Sequence, residues 1–159
     1  MKDQSTVVET LKSRFGEAIL GHAAFRGQLS VTVAPASIAD VCLFCRDDQG
    51  FGFDMLTDLT AVDFQPSTPR FQVVYNLYSF RYNNRLRLKA PLEENQTIAT
   101  VEGVWKAANW LEREVYDLFG IVFEDHSDLR RILLWDGYVG HPLRKDFPLH
   151  GIPQKVVYR

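Results

Sequence analysis

Between Leu111 and Pro148 the chain reads LEREVYDLFGIVFEDHSDLRRILLWDGYVGHPLRKDFP, and this stretch limits the fold more than any other. A helix bearing Glu112, Arg113, Glu114 and Asp117 runs to Gly120, a residue suited to the left-handed position that closes a helix. Beyond it, Gly137, Gly140, Pro142, Pro148 and Pro153 forbid a long helix or a central strand. Yet Trp135, Tyr138, Leu143, Phe147 and Leu149 are large and apolar, and they alternate with His126, Arg130, Arg131, His141, Arg144, Lys145 and Asp146. Such charges are satisfied by each other or by a partner. Arginine offers a rigid planar fork for carboxylates, and interface cores are enriched in aromatics and arginine. The composition therefore fits a docking arm over residues 135–159 better than an active-site loop.

Residues 1–134 read as one α+β domain. With 46% hydrophobic and 13% aromatic residues, the 159-residue chain can bury a sizeable core. Thr6 to Phe15 reads as an amphipathic helix, with Thr6 and Glu9 spaced as a capping box. Strands follow at 19–25 and 29–33, and Pro35 opens a second helix whose apolar stripe holds Ile38, Val41, Cys42 and Cys45. Three more strands read at 59–64, 71–80 and 85–90. Phe71, Val73, Tyr75 and Leu77 alternate as a sheet with one covered face requires. The last helix reads from Thr97 to Phe119, capped by Thr100. The order predicts a two-layer sandwich, helices on one side of a mixed or antiparallel sheet, with an irregular C-terminal arm.

Composition narrows the function. A net charge of −2 and a pI near 6.1 argue against nucleic-acid binding. No apolar run approaches the roughly 18 to 20 residues that span a bilayer, and MKDQSTVVET lacks the core of a signal peptide. Two cysteines without an export signal point to a reducing cytoplasmic setting, with membrane association only through partner proteins.

The individual motifs favour bland readings. Cys42-Leu43-Phe44-Cys45 matches C-x-x-C, but both thiols fall well inside a helix, where core packing explains them better than redox or zinc chemistry. His22, His126, His141 and His150 show no metal-ligand spacing, although His126 and His141 with Asp125 or Asp128 would suit a metallohydrolase if they met. Arg113 and Asp117 stand four apart on a helix and should pair. Arg81, Arg85, Arg87 and Lys89 read as a solvated edge strand.

Taken in order, E-R-E-x-x-D-L-F (Glu112 to Phe119), His126 and Arg130-Arg131-Ile132-Leu133-Leu134 closely resemble the signature of the 30 kDa-type subunit family of NADH:quinone oxidoreductase, respiratory complex I. Gly140-His141-Pro142-Leu143-Arg144-Lys145-Asp146-Phe147-Pro148-Leu149 and Asp58-Leu59-Thr60-Ala61-Val62-Asp63 match the same family, so the resemblance covers nearly the whole chain. It implies a non-catalytic scaffold subunit of the peripheral arm, on the cytoplasmic side of the bacterial inner membrane. Its chief partner would be the large quinone-site subunit. The complex passes electrons from NADH to quinone, coupled to proton translocation, using FMN and iron–sulfur clusters. No cofactor is expected on this chain, in keeping with two cysteines that cannot ligate a four-cysteine cluster.

The resemblance places the family signature and partner interface at Glu112, Arg113, Glu114, Asp117, His126, Arg130, Arg131, Trp135, His141, Pro142, Arg144, Lys145, Asp146 and Phe147. Many relatives continue past the K-D-F-P-L segment, where this sequence stops at Arg159, so fewer arm contacts are expected here. Two alternatives stand beside this reading. One is the equivalent subunit of a membrane-bound nickel–iron hydrogenase-type complex. The other is a free-standing metal-dependent hydrolase built on His126 and His141.

Overall fold

The structure is a computed structural model that describes residues 4–153. Residues 1–3 and 154–159, the latter closing the expected arm, lie outside the described residues. Helix α1 (Gln4–Phe15) leads into a hairpin, β1 (Ile19–Phe25) and β2 (Gln28–Val33). Helix α2 (Ile38–Asp47) follows, then β3 (Met55–Asp63), β4 (Phe71–Ser79) and β5 (Asn84–Leu92). Helix α3 (Ala108–Phe119) lies between two short strands, β6 (Ile98–Ala99) and β7 (Phe123–Glu124), which pair in parallel.

The main sheet runs β1-β2-β5-β4-β3, antiparallel except for the β2–β5 pair. Leu59, Tyr75 and Leu88 share one row, and Ala61, Val73 and Ala90 the next, so every second residue meets the helices. Leu29, Val31 and Val33 of β2 join this face. It packs into one core with Val7, Val8 and Leu11 of α1, Val41, Cys42 and Cys45 of α2, and Ala108 and Val115 of α3. The α+β two-layer expectation holds, as does burial of both cysteines, which are free thiols.

Four local expectations give way. First, α1 is already helical at Gln4, so Thr6 is not its cap; its carbonyl instead accepts a bond from the Thr10 hydroxyl. Second, α3 starts at Ala108 rather than Thr97. Residues 102–104 and 106–107 form turns, and the side chain of Glu112 on α3 accepts from Thr100 and from the Val101 N–H (2.7 Å). Third, β5 lies between β2 and β4, so its arginines do not mark an edge; they line the face that carries no helix. Fourth, β3 starts at Met55 and β5 reaches Leu92 through Pro91. The proline is tolerated because β2 pairs with β5 only as far as Lys89, so no ladder bond is lost on that side.

Candidate functional site

Three of the buried charged residues among the described ones converge on the irregular segment after β7. Asp63, Arg70 and Asp117 are buried and each bonds that segment. An isolated charge in a core is costly, so each must be matched by donors or acceptors. The segment supplies them.

Asp117, fully buried on the last turns of α3, is the first anchor. Its Oδ2 accepts the successive backbone N–H groups of Ile132, Leu133 and Leu134 at 3.0, 2.8 and 2.9 Å. Its Oδ1 accepts from Arg131 at 2.7 Å. Burial alone would raise this carboxyl, but the N–H donors and Arg131 outweigh it and hold it below its ordinary value. The expected Arg113–Asp117 pair therefore does not form. Arg113 instead donates to the carbonyls of Arg130 (3.1 Å) and Arg131 (3.2 Å), groups that no regular ladder satisfies.

The C-terminus of α3 is the second anchor. His141 Nδ1 donates to the Asp117 carbonyl (2.9 Å), the Leu143 N–H to Leu118 (3.1 Å) and Arg144 Nε to Phe119 (2.6 Å). These occupy carbonyls that a helix end leaves without partners. Gly120 closes the helix at φ +74°, and a Cβ there would stand 2.7 Å from the His141 ring. Burial lowers His141, aided by the charges of Arg131 and Arg144 against the pull of the Asp117 carbonyl.

The third anchor lies at the far end of the sheet. Arg70, just ahead of β4, donates to Asp63 (2.9 and 3.2 Å), Glu94 (2.7 Å) and Asp146 (2.7 Å). Asp63 also accepts the Lys145 N–H at 2.9 Å. Burial pushes Asp63 up, but Arg70 and the N–H groups of Lys145 and Gln65 hold it at about 2. Sequence reasoning missed Arg70 and Glu94. Neither lies in a periodic stripe, and only Arg70's position directly before an apolar strand hinted at burial.

The remaining candidates divide between inside and outside. Glu112 is fully buried beside Thr100, and burial raises it to about 7 despite its two hydrogen bonds. His126 accepts from the Asp128 N–H on Nδ1, so Nε2 carries the proton toward the Asn109 carbonyl at 3.0 Å. Glu114 is exposed, Pro142 is half-buried in the turn before Leu143, and Arg130 pairs with exposed Asp128 at 3.0 Å. Trp135 meets Tyr138 edge-on at 4.7 Å, Tyr138 stacks on Phe147, and Arg131 lies over Tyr138. In the same segment Leu133, Trp135, Val139, Leu143, Leu149 and Ile152 are exposed.

The hydrolase constellation does not assemble. His126 is tied to Asn109 and His141 to Asp117, eight residues apart on α3, or about 12 Å of helix. Among the described residues no three His, Cys, Asp or Glu side chains are grouped to hold a metal, and no helix is long and apolar enough to cross a membrane.

Residues 31–153 match the family described as respiratory-chain NADH dehydrogenase, 30 Kd subunit. The chain is 48% identical over 160 residues to an NADH-quinone oxidoreductase subunit of Geotalea uraniireducens, covering all of this chain and 96% of that one. It is 46% identical over 142 residues to a counterpart in Rhizobium meliloti, covering 89% and 78%. A solved trypsin-resistant fragment (1-134) of Nqo5 is 32% identical, with a TM-score of 0.64, over 79% of this chain and 98% of the fragment. A chain of the archaeal membrane-bound sulfane sulfur reductase, at 24% identity and a TM-score of 0.76, shares the fold over 91% of this chain and 85% of its own.

Proposed function

The chain belongs to the 30 kDa subunit family of respiratory-chain NADH dehydrogenase, and from that premise we propose how it serves NADH–quinone oxidoreductase. It is a non-catalytic peripheral-arm subunit whose C-terminal segment docks onto the large quinone-site subunit, at the cytoplasmic side of the membrane. The observation that carries this reading is the division of labour in the arm. Arg131, Arg144 and the N–H groups of Leu133 and Lys145 are spent inward on Asp117, on the end of α3 and on the Asp63–Arg70 pair. Its large apolar side chains, Leu133, Trp135, Leu143 and Leu149 among them, face outward. A rigid backbone presenting an apolar surface binds with less ordering cost than a loose one.

The same economy supports the absence of a resident cofactor. The buried carboxylates already have donors, and burial pushes both cysteine thiols up, away from the thiolate a metal needs. Trp135→Ala with Leu143→Asp tests the docking surface. The double variant should lose co-purification of the quinone-site subunit and quinone reductase activity from membranes, while the chain alone unfolds at an unchanged temperature. Normal assembly would sink the reading.

A further inference from the structure

We infer that the end of the sheet opposite the arm is a second docking surface, shaped for an acidic segment of another protein subunit. The inference rests on the chain's place in an assembly. The β1–β2 and β4–β5 turns lie side by side there, because β2 and β5 are parallel neighbours with Leu29 opposite Leu86. The arm's anchors at Asp63 and Arg70 sit at the other end of β3 and β4, a strand length of roughly 27 Å away.

Each turn exposes a phenylalanine: Phe25 is 73% and Phe80 65% exposed, and Met55 stands nearby in register with Tyr78. Three exposed arginines cover rings at this end. Arg26 lies over Phe25 (5.3 Å), Arg81 over Tyr82 (5.3 Å) and Arg85 over Tyr78 (5.9 Å). Among the described residues none of the three pairs with a carboxylate. Stacking fixes the guanidinium planes and leaves their edge donors available. This is the reverse of the arm's anchor points, where Arg70 and Arg131 are consumed internally.

A groove of about 550 Å³ runs from these turns onto the helix-free face, with Met55, Tyr78, Phe80 and Arg85 on its walls. Its floor is internally satisfied: Arg87 donates to Asn76 (2.9 Å), and Asn76 to Asp58 (3.3 Å). Asp54 caps the Phe80 N–H at 3.1 Å. Arg26, Arg81, Arg85 and Arg87 thus outnumber Asp54 and Asp58 on a chain of net charge −2. That local excess selects an acidic occupant. Exposed phenylalanines beside arginines select a protein surface over a polynucleotide, which would call for a broader basic stripe.

The test uses the assembled complex with a photo-crosslinking phenylalanine analogue placed at Phe80 or Phe25, and a parallel probe at Trp135. The Phe80 or Phe25 adduct should map to a Glu/Asp-rich peptide of a neighbouring subunit. Its yield should fall roughly tenfold with Arg26→Glu, Arg81→Glu and Arg85→Glu combined, and also as salt is raised. Adducts only to lipid or nucleic acid, or a protein adduct indifferent to charge reversal, would overturn the inference while the Trp135 adduct persists. Silence at all three positions would overturn it together with the arm's docking role.

Discussion

Arg131 reaches Asp117 at 2.7 Å, joining the arm to a carboxylate with no solvent exposure on the last turns of α3. The same carboxylate gathers three consecutive backbone N–H groups, so it acts as the local substitute for secondary structure in a segment whose glycines and prolines deny it a helix. Asp117→Asn removes the charge that Arg131 and the N–H groups share, and turns an amide toward donors. It should cost about 3 kcal/mol, at the low end for a broken buried pair because Arg131 keeps some exposure. Thermal unfolding measures the loss, and amide exchange at residues 132–134 should speed up more than in β4. A loss under about 1 kcal/mol would contradict the anchor role.

Arg70 distinguishes its partners by burial. Its Asp63 partner has a side chain 2% exposed, whereas Asp146 is 46% exposed. Asp146→Ala should therefore cost less than about 1 kcal/mol. Asp63→Ala removes the buried partner, leaves Arg70 only the half-exposed Glu94 and Asp146, and takes the acceptor from the Lys145 N–H, so it should cost about 3 kcal/mol. Equal losses from the two variants, by denaturant unfolding, would refute this ordering.

The same carboxylates set the acid limit of the arm. Asp63 sits at about 2 against an ordinary 3.8, and Asp117 and Asp146 are also lowered. A lowered acid stabilises the fold above its unfolded value and loses that contribution as pH falls through the folded one. Asp63 alone accounts for about 2 kcal/mol, lost between roughly pH 4 and pH 2. Limited proteolysis by an acid protease should cut residues 126–153 before the sheet across that window. Simultaneous loss of arm and sheet would show that the anchors do not govern it.

Glu112 works in the opposite direction. Burial raises it to about 7 from an ordinary 4.5, so its contribution is whole below the unfolded value and declines as pH rises toward 7 and beyond. The full penalty is about 3 kcal/mol at order of magnitude. Glu112→Gln keeps an acceptor for the Val101 N–H and a polar partner for Thr100. It should stabilise the chain near pH 8 and leave it unchanged near pH 5. A variant equally affected at both values would remove Glu112 as the titrating group.

The sheet was legible in the sequence because period-two alternation at Phe71, Val73, Tyr75 and Leu77 has one physical solution once a face is buried. The sequence also marked Gly120 as the helix stop and showed that the arm would be irregular. It did not show what fixes the arm. Arg70 and Asp146 are 76 residues apart, and no local rule links them. The overlong α3 arose because Val101, Val104 and Trp105 keep helical spacing. The structure gives them to a turn in which Trp105 Nε1 donates to the Phe53 carbonyl at 3.2 Å, a tertiary bond that periodicity cannot register. The basic residues of β5 were misplaced to an edge because charge patterning reports exposure, and a central strand with one bare face is exposed on that face too.

Gly120 tests whether arm and helix end are fitted as closely as the distances state. An alanine there meets a φ of +74° and places its Cβ 2.7 Å from the His141 ring and 3.0 Å from an Arg144 nitrogen. Gly16, at φ +52°, has nothing within 4 Å of the same added atom, so Gly16→Ala isolates the backbone cost, about 1 kcal/mol. Gly120→Ala should cost that amount plus the displacement of His141 and Arg144, about 3 kcal/mol in all. Because those two side chains bond the Asp117 and Phe119 carbonyls, their displacement should also loosen Leu143 on the proposed docking surface. Chemical unfolding of both variants, with complex assembly scored alongside, reads both effects. If Gly120→Ala costs no more than Gly16→Ala and assembles normally, the close approach of the arm to the end of α3 is not what positions that surface.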